Sequence, residues 1–183
     1  SARRQRQMCI RDSNYTFING NVCDTNLLKD HLHDCDHLVA SAAKIGGISY
    51  FHEYAYDLMA ENERIMASTF DAAIHAFQNN KLQKITVLSS SMVYENTNKY
   101  PTPEGDQLLS PPPFSTYGFQ KLAAEYFAKG AWEQYKLPFT IARPFNCIGI
   151  GEGRALGDVE IKSGNVKLAM SHVVPDIIQK IIK

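Results

Sequence analysis

The chain has 183 residues, is 44% hydrophobic and carries 19 basic and 19 acidic side chains. This length suits one domain, and the apolar content is sufficient for a packed core. A membrane-spanning helix needs about 18 consecutive apolar residues. No apolar run in the sequence approaches this length, so we expect no membrane contact. The basic, polar start lacks the apolar segment of a secretory signal, and we therefore expect a cytoplasmic protein.

The four cysteines show neither the spacing of metal ligands nor a dense disulfide framework. We expect reduced thiols and no metal site. The neutral overall charge depends on four arginines within residues 1–13, and residues 14–183 carry a net charge of −3. A basic arm is typical of nucleic-acid binding. Residues 1–13, however, resemble translated adapter sequence, so we interpret them as non-native and expect no nucleic-acid partner.

From residue 14 onward, short apolar runs alternate with longer amphipathic stretches. The predicted elements are a strand at 15–18, a helix capped by Asp24 and ending near 33, a strand at 36–40, a loop with Gly46 and Gly47, a helix at 56–79, a strand at 85–88, a helix at 117–135 and a strand at 139–143. On the helix at 56–79, six apolar positions share one face: Ile65, Met66, Phe70, Ala73, Ile74 and Phe77. The alternation predicts an α/β fold with a parallel sheet and crossover helices.

Three side chains with complementary chemistry follow these elements. Tyr117 and Lys121 are four residues apart, which places them on one face of a helix, and Ser90 follows the strand at 85–88. A free tyrosine ionises near pH 10, so it is a poor base at neutrality. A lysine one turn away favours the phenolate, and a serine hydroxyl can bond to the same substrate oxygen. We interpret the set as a proton-transfer device.

The order of these motifs resembles the extended short-chain dehydrogenases, the nucleotide-sugar epimerases and dehydratases. Three motifs show the resemblance: Ser90, which lies four residues before Tyr94; the pair Tyr117 and Lys121; and the segment from Arg143 to Asn146. The likeness covers residues 14–183. It implies a Rossmann-type doubly wound parallel sheet whose opening strand, glycine-rich turn and helix are missing here. We expect residues 14–148 to be a partial dinucleotide-binding domain and residues 149–183 the truncated start of a substrate-binding domain.

The resemblance also implies roles for individual residues. Ser90, Tyr117 and Lys121 correspond to the catalytic residues, with Tyr117 as base. The cofactor-binding positions are Asn21, Val22, Ala40, Ala42, Ser89 and Pro144, together with Tyr117 and Lys121. The substrate-binding positions are Ser91, Asn146 and His172. The implied cofactor is NAD, with NADP possible, and the implied partners are a nucleotide-diphosphate sugar and, in the full-length protein, a second copy in a homodimer.

The reaction type is read from the residues beside Ser90. Dehydratases of the resembling family carry an acidic pair where this chain has Ser91 and Met92, which weighs against dehydration. Relatives that make GDP-fucose pair a histidine with a cysteine, but Met92 occupies the cysteine position and a thioether has no proton to exchange. The prediction is therefore an epimerase of the 4-epimerase type acting on a UDP-sugar. The alternatives are an NADPH-dependent reductase-epimerase of GDP-fucose-synthase type and a non-catalytic nucleotide-binding relative.

Overall fold

The computed structural model describes residues 16–44 and 53–147, the backbone of residues 161–163 and 166–168, and residue 181. Three strands form a parallel sheet in the order β1 (His37–Ala40), β2 (Lys84–Leu88) and β3 (Phe139–Ala142). Ala40 lies opposite Val87 between β1 and β2, and Leu88 lies opposite Ala142 between β2 and β3. This arrangement confirms the predicted α/β class.

The first helix, α1 (Thr25–Leu32), begins where the sequence predicts. The Asp24 carboxylate accepts hydrogen bonds from the backbone N–H groups of Asn26 and Leu27, as an N-cap residue does. The strand predicted at 15–18 is wrong over its described part, because residues 16–20 are irregular. A strand exists only where a neighbour satisfies its backbone groups, and the described sheet places no strand beside this segment.

Two long helices cover the sheet. They are α2 (Ala55–Asn79) and α3 (Thr116–Tyr135), and α2 packs against both α1 and α3. The predicted apolar face of α2 is confirmed: Ile65, Met66, Phe70 and Ala73 are buried, while Ile74 and Phe77 pack at the edge of the core. Small buried residues of α3, namely Ala124, Ala128 and Ala131, allow the helices to approach closely. Ile85 and Val87 of β2 are fully buried in this core.

Because all three strands run in the same direction, their carboxyl ends lie at one edge of the sheet. A short 3₁₀ helix, Ser91–Tyr94, follows β2 there, and a loop rich in proline leads through a second 3₁₀ helix, Asp106–Leu108, to α3. The segment from Arg143 to Cys147 follows β3. In open α/β sheets this edge is where ligands bind.

Beyond β3, two short strands, β4 (Ile161–Ser163) and β5 (Val166–Leu168), pair antiparallel. The predicted domain boundaries after residues 13 and 148 stay predictions. The glycine-bearing loop at Gly46 and Gly47 lies outside the described residues. Within the described part of the chain, no helix is both long and apolar enough to cross a bilayer.

Candidate functional site

Ser90 lies at the junction between β2 and the helix Ser91–Tyr94. Its hydroxyl oxygen accepts a hydrogen bond of 3.2 Å from the backbone N–H of Met92, which caps this short helix. Ser90 is buried. A hydroxyl that accepts in this way retains its own proton as a donor, so Ser90 can donate to an oxygen placed above the end of β2.

The start of α3 is held against the Ser91–Tyr94 helix. Ser115 caps α3 by accepting a 3.0 Å hydrogen bond from the N–H of Gly118, and its own hydroxyl donates to Glu95 at 2.9 Å. Gly118 touches its neighbours closely: a Cβ built there would lie 2.7 Å from the Pro113 Cβ and 2.8 Å from the Met92 carbonyl oxygen. A residue without a side chain is therefore required next to Tyr117.

Lys121 lies one turn beyond Tyr117 and is buried. Its Nζ donates to the Leu88 carbonyl oxygen at 3.0 Å and lies 5.9 Å from the centre of the Tyr117 ring. Burial lowers the pKa of the Lys121 ammonium, because desolvation disfavours its charged form. The structure thus brings a partly buried tyrosine and a desolvated lysine together at the end of β2.

A second set of buried polar contacts lies one further turn along α3. The Glu125 carboxylate accepts from the Ser89 hydroxyl at 2.6 Å and from the Arg143 guanidinium, Nε at 2.7 Å and Nη2 at 2.8 Å. The pKa of Arg143 is raised by its hydrogen bond to Glu125. Sequence reasoning missed Glu125, although its position four residues after Lys121 places it on the same helical face.

The remaining donors of Arg143 face the loop that precedes α3. Its Nη1 donates to the Tyr94 hydroxyl and, at 2.7 Å, to the Glu104 carbonyl oxygen. The Tyr94 hydroxyl itself donates to the same carbonyl at 2.8 Å. These groups border an open pocket of about 270 Å³ whose lining is Tyr94, Thr102, Glu104, Ile141, Arg143 and Phe145. Arg143 therefore connects the end of β3 to the proline-rich loop.

The same loop is ordered by Asp106, which is 2% exposed. Its carboxylate accepts from the hydroxyls of Thr97 and Ser110 and pairs with the Lys99 ammonium at 3.0 Å. The hydrogen bond from Thr97, with those from Lys99 and Ser110, lowers the pKa of Asp106 to about 2. The loop that leads to Tyr117 thus has a charged anchor, which the sequence does not indicate.

The predicted cofactor-binding positions on the β1 side have fewer internal contacts. The Asn21 side chain is exposed, and its Oδ1 accepts from the Cys23 N–H at 2.9 Å. Val22 is partly buried against the core, and its carbonyl accepts from Ser68 at 2.8 Å. Ala40 is buried at the end of β1, whereas Ala42 is exposed. In the described residues, no hydrogen bond joins these four side chains to one another.

The predicted substrate positions are only partly described. Ser91 is partly buried, and its N–H donates to the carbonyl of the exposed Pro144 at 3.1 Å, which joins the segments after β2 and β3. Asn146 is exposed beyond β3. His172 lies outside the described residues. In the described ranges, no three His, Cys, Asp or Glu side chains group as metal ligands.

The chain belongs to the NAD dependent epimerase/dehydratase family, whose model matches residues 1–182. The predicted family is thereby confirmed, and NAD is confirmed as the cofactor of the family.

The relatives of the chain include a dTDP-D-glucose dehydratase and a GDP-L-fucose synthase. The chain is 26% identical over 141 residues to human dTDP-D-glucose 4,6-dehydratase, covering 74% of this chain and 37% of that protein. It is 26% identical over 147 residues to GDP-L-fucose synthase of Escherichia coli K12, covering 79% and 41%. Its fold is similar to that of UDP-N-acetylglucosamine 4-epimerase from Methanobrevibacter ruminantium M1, which was solved with UDP-N-acetylmuramic acid. The TM-score is 0.71 at 24% identity, and the match covers 94% of this chain and 49% of that one. The chain thus spans less than half the length of these relatives.

Proposed function

We propose that the protein is a nucleotide-sugar epimerase of the 4-epimerase type, which uses bound NAD without net consumption. The observation that carries this proposal is the buried Lys121 ammonium, 3.0 Å from the Leu88 carbonyl and 5.9 Å from the centre of the Tyr117 ring. A module that only binds nucleotide has no need of a proton-transfer pair at this edge. Perturbed ionisable groups that converge at a ligand-binding edge are typical of proton-transfer sites.

The residues at this edge fit a nicotinamide cofactor. Lys121 has three N–H donors, one of which is used by Leu88, so it retains donors for ribose hydroxyls. Ala40 and Ala42 carry only a methyl group where β1 ends, which leaves room for a bulky ligand. When bound, NAD supplies a reversible hydride acceptor. Lys121, Tyr117, Ser89 and Pro144 would hold its reactive end, and Asn21 and Val22 would hold its adenine.

In this proposal the chain's own groups handle the proton. Tyr117 takes the proton from a sugar hydroxyl and returns it, with Lys121 favouring the phenolate. Ser90 donates a hydrogen bond to the same sugar oxygen, using the proton that its cap contact leaves available. Asn146 and Ser91 contact the nucleotide-diphosphate sugar, and His172 is a further substrate position.

The reaction type rests on the residues beside Ser90. Ser91 and Met92 offer no carboxyl acid to expel water, which disfavours a dehydratase. A second candidate, an NADPH-dependent reductase-epimerase that forms a GDP-sugar, is favoured by the match to the Escherichia coli GDP-L-fucose synthase. Met92 disfavours it, since its thioether cannot exchange a proton.

The experiment uses the complete gene product. UDP-galactose and UDP-glucose are incubated with it separately, with no added reductant, and the products are separated by chromatography. The proposal predicts that each sugar yields the other. Conversion of a GDP-linked keto sugar that consumes one NADPH per product would favour the second candidate. Binding of NAD and UDP-sugars without any conversion would leave the non-catalytic relative.

We also propose that the protein is a homodimer that pairs through α2 and α3. Tyr126 and Trp132 of α3 are 54% and 45% exposed, so α3 presents aromatic side chains that a second copy could cover. Light scattering of the complete gene product checks this: a monomer mass at micromolar concentration contradicts the dimer.

A further inference from the structure

Glu125 has no role in the proton transfer described above, yet it is buried on the helix that carries Tyr117 and Lys121. Residues four apart on a helix lie one above the other on the same face. Lys121 and Glu125 are four residues apart, and both side chains contact the end of β2. A buried carboxylate is costly unless it is paired and hydrogen-bonded, so its partners indicate what it does.

The partners of Glu125 come from two different strand ends. One carboxylate oxygen accepts from the Ser89 hydroxyl, at 2.6 Å, and from Arg143 Nε, at 2.7 Å, and the other accepts from Arg143 Nη2 at 2.8 Å. Ser89 follows β2 and Arg143 follows β3. A single carboxylate therefore connects α3 to both strands at the edge where the reaction is proposed to occur.

The contacts of Lys121 and Glu125 are consecutive along β2. Lys121 holds the Leu88 carbonyl and Glu125 holds the Ser89 hydroxyl, and the next residue is Ser90. Two turns of α3 therefore set the position of the last residues of β2. A bidentate arginine–carboxylate pair fixes the relative orientation of its two side chains and also adds energy. We therefore expect the distance between Ser90 and Tyr117 to depend on this bracing by Glu125.

Four of the five N–H donors of Arg143 are used inside the protein, which leaves at most one for a substrate anion. Its Nε and Nη2 are directed at Glu125, and its Nη1 donates to Tyr94 and to the Glu104 carbonyl. Arg143 is thus a brace between α3, β3 and the proline-rich loop. The segment it holds continues directly into Pro144 and Asn146.

We propose that Glu125 is a positioning residue, whose carboxylate holds Ser89 and Arg143 so that Ser90 and Tyr117 meet the same substrate oxygen. This inference rests on the proposed function. A buried ion pair is by itself weak evidence for a role in stability. The experiment must therefore separate bracing of the site from stabilisation of the fold.

The experiment compares six variants of the complete gene product: Glu125→Gln, Ser89→Ala, Tyr117→Phe, Glu125→Gln with Arg143→Met, Glu125→Gln with Tyr117→Phe, and the control Glu133→Gln. The control removes a carboxylate from an exposed pair with Lys129 on the same helix. For each variant, kcat, KM for the nucleotide sugar and the midpoint of thermal unfolding are measured. Hydrogen exchange of peptides covering residues 88–94 and 143–147 reports the bracing without reference to activity.

The proposal predicts that Glu125→Gln lowers kcat by about ten- to a hundredfold, the scale of a small misplacement of reacting groups, while KM stays nearly constant. Ser89→Ala also lowers kcat, because it removes the hydroxyl that donates to Glu125. Replacing both charges in Glu125→Gln with Arg143→Met restores the unfolding midpoint but not kcat, because the double variant leaves no unpaired buried charge. In the Tyr117→Phe background, Glu125→Gln causes no further loss, and exchange at 88–94 rises only in the Glu125 and Ser89 variants.

Two results would overturn the positioning role: recovery of kcat together with stability in the double variant, or exchange at 88–94 unchanged by Glu125→Gln. Failure of the proposed function looks different. In that case Tyr117→Phe retains normal turnover, or no nucleotide sugar is converted, while the exchange measurement still decides whether Glu125 braces the strand ends.

Discussion

The end of β2 and the outer edge along β1 are built differently, although both contain residues predicted to bind the same cofactor. At the end of β2, Lys121 and Glu125 are each 8% exposed and are hydrogen-bonded to backbone or side-chain partners. Along β1, Val39 is 58% exposed and the Asn21 side chain makes only a local turn contact.

This contrast indicates which half of the site is organised by the protein itself. The Tyr117 region keeps its geometry through buried polar contacts that cross between α3, β2 and β3. The β1 edge has small and exposed side chains. Their contacts depend on a bound ligand more than on other parts of the protein. Substitutions near Lys121 are therefore expected to change the rate strongly, and substitutions near Asn21 to change cofactor affinity weakly.

The largest effect in this comparison is expected from Lys121→Met. It removes the ammonium that holds the Leu88 carbonyl beside the Tyr117 ring, so kcat/KM should fall by at least about a hundredfold, the scale of impaired general base catalysis. Cofactor affinity, measured by calorimetry, should fall as well. The matched control is Lys129→Met, an exposed lysine of the same helix. Loss of neither rate nor affinity in Lys121→Met would contradict its assignment.

Gly118→Ala tests whether close packing positions Tyr117. The added methyl group would meet Met92 and Pro113, so we expect a loss of about 1–3 kcal/mol in the free energy of unfolding, the usual cost of overpacking. Turnover should fall about tenfold, since small misplacements of reacting groups are costly.

Gly130→Ala is the matched control, because nothing lies within 4 Å of a Cβ at Gly130 on the same helix. It should stabilise the protein by about 0.5–1 kcal/mol, since alanine favours a helix. Equal results for the two glycine variants, in denaturant unfolding and in assays, would show that the approach of α3 to Met92 is unimportant.

Asp106→Asn should alter stability with a defined pH dependence and change turnover little. The pKa of Asp106 is lowered from 3.8 to about 2 in the folded protein, so its contribution is complete above pH 3.8 and is lost as the pH falls through about 2. The variant should therefore unfold at lower denaturant than the native protein at neutral pH, and the difference should vanish near pH 2. The exposed Asp71→Asn is the control, and a pH-independent difference would contradict the account.

The smallest effect is expected from Asn21→Ala on the β1 edge. The variant loses the turn contact to the Cys23 N–H, and hydrogen bonds of this kind contribute about 0.5–1.5 kcal/mol. A free-energy loss of this size corresponds to a fall in cofactor affinity of less than about tenfold. We expect kcat to be unchanged. Asn26→Ala, exposed on α1, should have no effect. A large loss of kcat in Asn21→Ala would remove the contrast between the two regions.

The elements of the fold were largely predictable because apolar periodicity and capping residues are local. Asp24 marks the start of α1, and the apolar face of α2 is visible over its whole length. The segment at 15–18 was not predictable, since its apolar residues satisfy the strand pattern while strand formation depends on a neighbour. Tyr117 and Lys121 were recognisable as candidates from their helical spacing together with Ser90 and the segment from Arg143 to Asn146.

The bracing contacts were not predictable, because they join residues far apart in the chain. Glu125 lies 36 residues from Ser89 and 18 from Arg143. The spacing from Lys121 places Glu125 on the same face of α3, but nothing in the local sequence identifies Ser89 and Arg143 as its partners. The Asp106 cluster has shorter separations, but it depends on the path of an irregular loop.

The central claim is that Tyr117 serves as the base for a sugar hydroxyl. The most direct measurement is kcat of Tyr117→Phe in the complete gene product, together with NAD affinity and with Tyr126→Phe, an exposed tyrosine of the same helix, as control. The account predicts that Tyr117→Phe lowers kcat by at least about a hundredfold while NAD binding and the Tyr126→Phe enzyme stay normal. Near-normal turnover in Tyr117→Phe would contradict it.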